Sequence, residues 1–331
     1  MPRRACTRRG IRRGGRGAFA DVVAVLTYID AIRAALAEEM RRDESVILVG
    51  EDIGAYGGAF KATKGLLEEF GAERVIDAPI AESAIVGVCI GAAIRGLRPV
   101  AEMQFADFVT CGFSQLVVNA ATFHYRSGQS VPMVVRLPAG GGVAAGPFHS
   151  RCPEAWFAHA PGLKVVVPAT PRDARALMLA AIRDPDPVIY VEQKFLYRRL
   201  KEDVPADDPP AELGRALVRR EGKDATVVTY GAGVHMALEA AEALAARGRS
   251  IEVVDLRSLV PYDGETVLAS VRKTSRVLVL HEAHRTCGFG AEVAALVADE
   301  AFAHLDAPVR RLAALDAPTP AEATLEDFVR P

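Results

Sequence analysis

Short apolar runs alternate along the chain with longer stretches in which apolar residues recur at helical spacing. The runs rich in β-branched residues predict strands at 45–49, 74–76, 98–102, 132–137, 164–167, 188–192, 225–230, 251–255 and 276–280. The helical periodicity predicts helices at 28–41, 61–70, 82–95, 107–126, 171–183, 234–246 and 288–301. This alternation is typical of the α/β class, in which helices flank parallel-rich sheets.

The alternation stops between Lys201 and Pro210, where the chain is charged and rich in proline. Such a segment fits neither a helix nor a central strand. We therefore predict two domains, at 22–200 and 215–331, joined by a linker at 201–214. Half of the 331 residues are apolar, so each domain has enough material for a core of its own.

Residues 1–21 are predicted to be a disordered basic arm. The first seventeen residues contain seven arginines, no acid and no apolar core of a secretory signal. A mitochondrial-type targeting segment is the alternative. Over the whole chain arginine greatly outnumbers lysine, which suggests GC-rich coding and hence a bacterial cytoplasm.

Charge, hydropathy and cysteine spacing exclude several classes of protein. The net charge of −2 gives no bias toward nucleic acid or acidic membranes, so neither is expected as a partner. The longest apolar run, at 84–94, is about half of the roughly 20 residues that a membrane span needs. The five cysteines form no Cys-x-x-Cys pair, which argues against a zinc site and a disulfide framework.

The predicted helix at 82–95 is apolar on nearly every side, which indicates that it is buried on most sides. Gly87 and Gly91 leave two bare backbone positions on one face of this helix. Another helix approaches closely at such a face, and it comes either from the same chain or from another subunit. We favour a subunit contact, because no other stretch of the chain is an obvious partner.

Glu82 and Phe108 are the first candidates for chemistry. An acid in the first turn of a helix is stabilised by the helix dipole, which is the simple explanation for Glu82. At the mouth of a buried helix, however, a carboxyl is partly desolvated and suited to proton exchange. Phe108 follows the strand at 98–102, and ligands bind at the carboxyl ends of parallel strands. Phe108 therefore either stacks on a flat ring or packs in the core.

The segment at 140–150 is a glycine-rich loop that carries His149 near its end. It lacks the Gly-Lys-Ser/Thr ending of a phosphate-binding loop. A histidine on such a loop suits proton transfer to a bound substrate, and a plain surface histidine is the alternative.

Two further motifs are weak. Gly231 and Gly233 begin a dinucleotide fingerprint whose third glycine is replaced by Met236, so NAD binding is not expected. His281 and His284 are expected on a turn with no third ligand, so metal catalysis is not expected either.

The segments from about Leu26 to the C-terminus resemble, when taken together, the beta subunit of the thiamin-diphosphate-dependent 2-oxo acid dehydrogenases. The resemblance rests on the joint order and spacing of several strings rather than on any one of them. The strings are VGEDIG at 49–54, DAPIAE at 77–82, GLRP at 96–99, EMQFADF at 102–108, YRSG at 125–128, HSRCPEAWFAH at 149–159, PGLKV at 161–165, VVDLR at 253–257 and HE at 281–282. The resemblance implies a transketolase-like pyrimidine-binding domain followed by a transketolase C-terminal-like domain.

The resemblance also implies an α2β2 heterotetramer with thiamin diphosphate between the two kinds of subunit. In this family the alpha subunit holds magnesium and the diphosphate through a Gly-Asp-Gly…Asn pattern. The present sequence contains no Gly-Asp-Gly. The chain is therefore expected to be active only together with an alpha subunit.

Five residues acquire roles by their positions in the resemblance. Glu82 resembles the carboxyl that hydrogen-bonds N1′ of the aminopyrimidine, and Phe108 resembles the aromatic side chain that packs on that ring. Gln104 and Glu51 are expected to line the same pocket. His149 matches the histidine that assists acyl transfer to the lipoyl arm of a dihydrolipoyl acyltransferase core.

Substrate and ion preferences are the least specific implications. A structural potassium site is implied near the end of the helix at 171–183, where Asp184 and Asp186 stand at ligand positions. The strings FADF at 105–108 and RCPEA at 151–155 look more like the branched-chain group, so we favour branched-chain 2-oxo acids over pyruvate and acetoin. A split transketolase-type ligase and a non-catalytic scaffold for the acyltransferase core are the competing hypotheses.

Overall fold

The computed structural model describes residues 23–331, and the predicted basic arm at 1–21 lies outside this range. The strands are β1 (Val23–Thr27), β2 (Val46–Gly50), β3 (Val75–Asp77), β4 (Arg98–Glu102), β5 (Val134–Ala139), β6 (Lys164–Val166), β7 (Val188–Gln193), β8 (Lys201–Pro205), β9 (Leu217–Arg220), β10 (Ala225–Thr229), β11 (Ile251–Asp255), β12 (Ser258–Val260), β13 (Val277–His284) and β14 (Arg310–Ala314). The helices are α1 (Tyr28–Arg42), α2 (Leu66–Phe70), α3 (Glu82–Ile94), α4 (Val109–Ser114), α5 (Ala121–Ser127), α6 (Glu154–Ala158), α7 (Pro171–Arg183), α8 (Ala232–Ala245), α9 (Gly264–Thr274), α10 (Gly290–Glu300) and α11 (Ala323–Val329). Strands and helices alternate as predicted, which confirms the α/β class.

Within residues 23–331, the N-terminal part is built on a sheet with the strand order β12-β6-β7-β5-β4-β2-β3. Its neighbouring strands are parallel, except that β12 runs antiparallel to β6. Strands β2, β5 and β7 are buried along their whole length, as expected of a parallel sheet covered on both faces. From β2 the chain passes to β3 on one side and then to β4 on the other, so the strand order reverses between β2 and β4. Ligands bind beyond the carboxyl ends of the strands at such a switch point.

The C-terminal part is built on a second sheet, which has the strand order β14-β13-β10-β11-β9 in the described part of the chain. Strands β10, β11, β13 and β14 are parallel, and β9 is antiparallel to β11. The two parts are closely joined, because β12 follows β11 in the chain and yet extends the first sheet. Asp173 of α7 also accepts a hydrogen bond from Arg257 Nε at 2.9 Å, which ties the two parts together.

The segment predicted as a linker at 201–214 is not free of regular structure. Its first residues form β8, which pairs antiparallel with β1 in a two-stranded sheet. Lys201 and Asp203 of β8 are exposed and only Val204 is buried, so an edge position accommodates the charges. Because this ribbon buries so little, the apolar pattern of the sequence did not reveal it.

Three predicted elements differ from the observed ones. The helix predicted at 61–70 begins only at Leu66, because Lys61 and Gly65 adopt φ angles of 69° and 86°, which interrupt a right-handed helix. The helix predicted at 107–126 is present, but it opens with a 3₁₀ turn at Ala106–Phe108 and contains a π-helical turn at Gln115–Ala120. The expectation that His281-x-x-His284 lies on a turn is wrong, since β13 continues along β14 as far as His284.

Helix α3 is more exposed than its composition predicts. One side faces the core, but Val88 is 60% exposed and Gly91 is exposed as well. A Cβ atom built on Gly87 or Gly91 would meet nothing within 4 Å in residues 23–331. The prediction of burial on most sides is therefore wrong for the single chain, and a subunit contact at the glycine face stays a prediction. Neither α3 nor any other helix in residues 23–331 is long and apolar enough to cross a bilayer.

Candidate active site

The predicted site residues meet at the switch point of the first sheet. Glu51 directly follows β2, and Gln104 lies two residues beyond the end of β4. Glu82 is the first residue of α3, and Phe108 ends the 3₁₀ turn that leads into α4. Because β2 and β4 are parallel neighbours, the segments that follow them emerge at the same edge of the sheet.

Glu51 and Glu82 form a pair of interacting carboxyl groups. Glu51 is only 5% exposed, and its Oε1 atom is buried without a hydrogen-bond partner among the described residues. Burial is the largest cause that raises the pKa of Glu51, and the negative charge of Glu82 raises it further. A hydrogen bond from the Ala81 backbone opposes both effects. The pair therefore places a buried carboxyl with a raised pKa beside a second, half-buried carboxyl at the helix terminus.

The position of Glu82 depends on a close contact between α3 and α4. A Cβ atom on Gly112 would lie 2.9 Å from Cγ2 of Val86 and 3.2 Å from the backbone oxygen of Glu82. Only a residue without a side chain allows α4 to pack this closely against the start of α3. The local sequence thus fixes both the helix that carries Glu82 and the helix that follows Phe108.

Gln104 is held at the edge of the site by a residue that the sequence prediction missed. Its Nε2 atom donates a hydrogen bond to Oδ2 of Asp52 at 3.0 Å. Asp52 has a φ angle of 57°, a conformation that aspartate tolerates better than most residues. Asp52 directly follows Glu51, so a single turn after β2 positions both an acid of the pair and the anchor of Gln104.

An aromatic cluster brings the histidine loop to Phe108. The ring centroids of Phe108 and His149 lie 5.5 Å apart, and Phe105 packs against both rings, at 5.7 Å from Phe108 and 4.4 Å from His149. Phe108 and His149 are both half-buried, which favours a ligand-facing position for Phe108 over the alternative of a core residue. Phe105 was missed, although it belongs to the EMQFADF string.

The floor of the site contains a buried group of charges that sequence reasoning also missed. Arg136 of β5 is 1% exposed and donates to both carboxylate oxygens of Glu192 in β7, at 2.6 and 2.9 Å. Its other contact is a short hydrogen bond to Glu102 of β4. Tyr197 donates to Glu192 at 2.7 Å. These contacts tie together strands β4, β5 and β7, and removing one partner would leave a buried charge unpaired.

The residues predicted to bind potassium lie away from this site and are already paired with cations. Nζ of Lys164 lies 2.7 Å from Oδ1 of Asp184 and 3.1 Å from Oδ2 of Asp186. Arg98 donates to the backbone oxygens of Ile182 and Asp184 at 2.7 and 3.2 Å. The groups present do not fit potassium unless these cations move, so potassium binding stays a prediction and no step depends on it.

The donor set fits one end of thiamin diphosphate but not the other. Carboxyl groups, an amide and an aromatic ring suit an aminopyrimidine, and Glu51 has a buried oxygen free to accept from a ligand. In residues 23–331 no group of three His, Cys, Asp or Glu side chains is placed to hold a metal ion. The sequence also contains no Gly-Asp-Gly. That an alpha subunit holds the magnesium-bound diphosphate stays a prediction.

Comparisons with known proteins identify the domains and the relatives of the chain. The profile of the transketolase pyrimidine-binding domain matches residues 24–199, and that of the transketolase C-terminal domain matches residues 214–331. The 2-oxoisovalerate dehydrogenase subunit beta of Bacillus subtilis (strain 168) is 50% identical over 309 residues, which cover 92% of this chain and 94% of that protein. The pyruvate dehydrogenase E1 component subunit beta of Acholeplasma laidlawii is 46% identical over 300 residues, which cover 90% and 92%.

A solved structure shows the same fold over nearly the whole chain. A chain of a split gene transketolase, an inactive beta4 tetramer, matches with a TM-score of 0.76 at 27% identity, and the match covers 93% of this chain and 95% of that one. The predicted fold and the resemblance carried by the ordered strings are both confirmed. The chain belongs to the family of 2-oxo acid dehydrogenase beta subunits, which is built from the two transketolase-type domains.

Proposed function

We propose that the chain is the beta subunit of the decarboxylating component of a lipoamide-linked 2-oxo acid dehydrogenase complex in a bacterial cytoplasm. The observation that carries this proposal is that Phe108 packs against His149, while Glu82 begins helix α3, which contacts α4 just after Phe108. The site thus combines a carboxyl and an aromatic ring for a pyrimidine with a histidine for the later acyl transfer. The family of the chain supports the same reaction class.

Each site residue has a distinct task in this proposal. When bound, thiamin diphosphate supplies the carbon nucleophile and the electron sink that decarboxylation of a 2-oxo acid needs. Glu82 shares a proton with N1′ of the aminopyrimidine, and Phe108 packs on the face of that ring. Burial raises the pKa of Glu51, so this second carboxyl releases its proton at a higher pH than an exposed glutamate does. His149 moves a proton as the acyl group passes to the lipoyl arm.

The diphosphate end requires a second polypeptide in this proposal. An alpha subunit would hold magnesium and the diphosphate, and the assembly would be an α2β2 heterotetramer that works with a lipoylated dihydrolipoyl acyltransferase core. The apolar face of α3 around Gly87 and Gly91 is open in the single chain, which supports a contact with another subunit. The test is reconstitution: the chain alone should release no carbon dioxide from a 2-oxo acid, and addition of an alpha subunit of the same family should restore the reaction.

A branched-chain 2-oxo acid is the favoured substrate. Two strings at 105–108 and 151–155 support it, and so does the slightly higher identity to the 2-oxoisovalerate enzyme than to the pyruvate enzyme, at 50% against 46%. Because this difference is small, kcat/KM must be compared for 2-oxoisovalerate, pyruvate and acetoin with the reconstituted enzyme. A higher kcat/KM for pyruvate or acetoin would contradict the preference.

A split transketolase-type ligase is the second candidate, because the matching solved structure is a split gene transketolase. Analysis of the products separates the two candidates. Carbon dioxide together with acylated lipoamide supports the dehydrogenase, and transfer of a two-carbon unit to a sugar supports the ligase. If the reconstituted assembly accelerates neither reaction, the chain is instead a non-catalytic scaffold for the acyltransferase core.

A further inference from the structure

The loop that carries His149 is attached to the C-terminal domain as well as to its own domain. The backbone N–H of Gly141 donates to Oε1 of Glu282 at 2.6 Å, and the backbone N–H of Ala144 donates to Oε2 of Glu326 at 2.8 Å. Glu282 belongs to β13 and Glu326 to α11. Two carboxylates from the other domain therefore hold the loop, one near its start at Gly141 and one in its middle at Ala144.

Both carboxylates act in a buried environment. Glu282 is 6% exposed and Glu326 is 2% exposed. The charge of Glu282 is balanced by Arg330, whose Nε atom lies 3.2 Å from its Oε1 atom. Hydrogen bonds from backbone N–H groups to carboxylates are stronger than those between neutral groups, and water competes little at a buried site. These contacts therefore restrain the loop more than its glycine content suggests.

The loop adopts a conformation that depends on such restraints. Ala144 has a φ angle of 53°, a left-handed conformation that costs energy for a residue with a Cβ atom. Gly142 has a φ angle of 77°, and a Cβ atom there would lie 2.5 Å from Nη1 of Arg330 and from Cδ2 of Phe195. The strained residue is thus the one that Glu326 holds. Gly142, two residues earlier, lies against Arg330, which directly follows α11, and against Phe195 of the pyrimidine-binding domain.

The two ends of the loop are anchored in the pyrimidine-binding domain. Nζ of Lys194 donates to the backbone oxygen of Gly140 at 2.6 Å, and the N–H of Arg151 donates to Oδ2 of Asp107 at 3.3 Å. His149 lies between the anchored middle and the second end. Displacing Ala144 would therefore move His149 relative to the aromatic cluster, while the residues at the ends of β2 and β4 would stay in place.

We propose that Glu326 is a positioning residue for His149, so that the last helix of the chain sets the geometry of acyl transfer. This inference rests on the proposed role of His149 and extends it to a residue of the C-terminal domain. Glu326 touches neither substrate nor cofactor and acts only through the loop at 140–150. Loss of its carboxylate should release the loop, and it should impair the step that needs His149 more than the step that needs Glu82.

The first test measures the loop itself, without catalysis. Amide hydrogen exchange is followed by mass spectrometry on the full chain in complex with its alpha subunit, for the wild type, Glu326→Ala, Glu326→Gln and Asp327→Ala. Glu326→Ala should raise exchange in peptides from 140–150 by roughly tenfold, since charge-assisted hydrogen bonds protect these amides. Glu326→Gln keeps an acceptor oxygen and should fall between Glu326→Ala and the wild type. Asp327→Ala removes an exposed carboxylate from the same helix and should leave the loop unchanged.

The second test measures both half-reactions with the same variants. Glu326→Ala should lower acylation of a lipoyl domain roughly tenfold more than carbon dioxide release with an artificial electron acceptor, because misplacing a catalytic group by about 1 Å costs up to 10²-fold. Glu326→Gln should recover most of the acylation.

The inference is overturned if the loop of Glu326→Ala exchanges its amide hydrogens at the wild-type rate. It is also overturned if Glu326→Ala loses the same factor of activity in both half-reactions. If Glu326→Ala does not fold, Glu326→Gln and Asp327→Ala decide the question, since equal loop exchange in these two variants would count against Glu326. Because exchange is independent of turnover, its result stands even if the proposed reaction is wrong.

Discussion

The two halves of the candidate site are positioned in different ways. Glu51 directly follows β2 and Glu82 begins α3, so both are positioned by the sheet and helices of one domain. His149 lies on a loop that Glu282 and Glu326 of the other domain hold at Gly141 and Ala144. The ring half, around Glu51 and Glu82, is therefore assembled from local structure, whereas the loop half, around His149, depends on the packing of the whole chain.

The largest effect is expected from a substitution that removes the acid of the ring half. Glu82→Gln should lower turnover of the reconstituted enzyme by about 10²–10⁴-fold, the usual contribution of general acid–base catalysis. The amide keeps the size of the side chain, so the midpoint of unfolding should stay unchanged. Glu73→Gln, at an exposed acid before the same helix, is the matched control. Unchanged turnover in Glu82→Gln would remove the mechanism and favour the scaffold hypothesis.

The second prediction separates the two halves. His149→Ala should lower acylation of the lipoyl domain by about 10²-fold, while carbon dioxide release with an artificial acceptor falls much less. The reason is that the ring half does not depend on the loop. His159→Ala, at an exposed histidine outside the aromatic cluster, should affect neither reaction. Equal losses in both assays for His149→Ala would mean that the two halves act as one unit.

The third prediction concerns the domain contact beneath the loop. Glu154 begins α6 and accepts a hydrogen bond from the Tyr230 hydroxyl of the C-terminal domain at 2.9 Å. Burial raises the pKa of Glu154 from 4.5 to about 7. Since the folded state binds this proton more tightly, the stabilisation is complete below about pH 4.5 and is lost as the pH rises through 7.

Glu154→Gln should remove this pH dependence. At pH 8 the variant should be more stable than the wild type by about 1–3 kcal/mol, and the difference should shrink toward pH 5. Urea unfolding of the full chain at both pH values measures the effect, with Glu73→Gln as the control. An identical pH slope in Glu154→Gln and the wild type would show that this contact does not titrate.

The smallest effect is expected from a substitution on α3, which tests whether another chain contacts this helix next to the ring half. Gly91 is exposed, and a Cβ atom there would meet nothing within 4 Å in residues 23–331, so Gly91→Leu should fold normally as a monomer. At a close subunit contact the added side chain should cost about 1–3 kcal/mol, which weakens the assembly. Analytical ultracentrifugation near the dissociation range should show lower mass, whereas Ala72→Leu at another exposed position should not. Native mass for Gly91→Leu at all concentrations would refute a contact there.

The ring half could largely be predicted from the sequence, because its determinants are close together in the chain. Glu51 directly follows an apolar strand, and Glu82 begins an apolar helix. The α/β class followed from the same alternation of elements. Even so, helix α9 was missed although the sequence contains its signal: the Asp263 side chain accepts from the N–H of Thr266 as an N-cap, and Val267 and Val271 are spaced for one buried face.

The loop half and the charged floor could not be predicted in the same way. Glu326 and Ala144 are 182 positions apart, and no periodic pattern relates residues at such a separation. Arg136 interrupts an apolar strand, and its meaning appears only once β4 and β5 pair with Glu102 opposite Arg136. The open face of α3 was misjudged for a related reason, since composition reports that a helix is apolar and not which molecule covers it.

The central claim is that this chain carries the ring-end groups for thiamin diphosphate and depends on a second polypeptide for the diphosphate. The most direct test is calorimetric titration of thiamin diphosphate with magnesium into the purified chain alone and into the chain mixed with its alpha subunit. We predict no saturable binding to the isolated chain, and tight, saturable binding to the mixture that weakens when Glu82→Gln replaces the wild type. Tight binding by the chain alone, accompanied by turnover of a 2-oxo acid, would contradict the account.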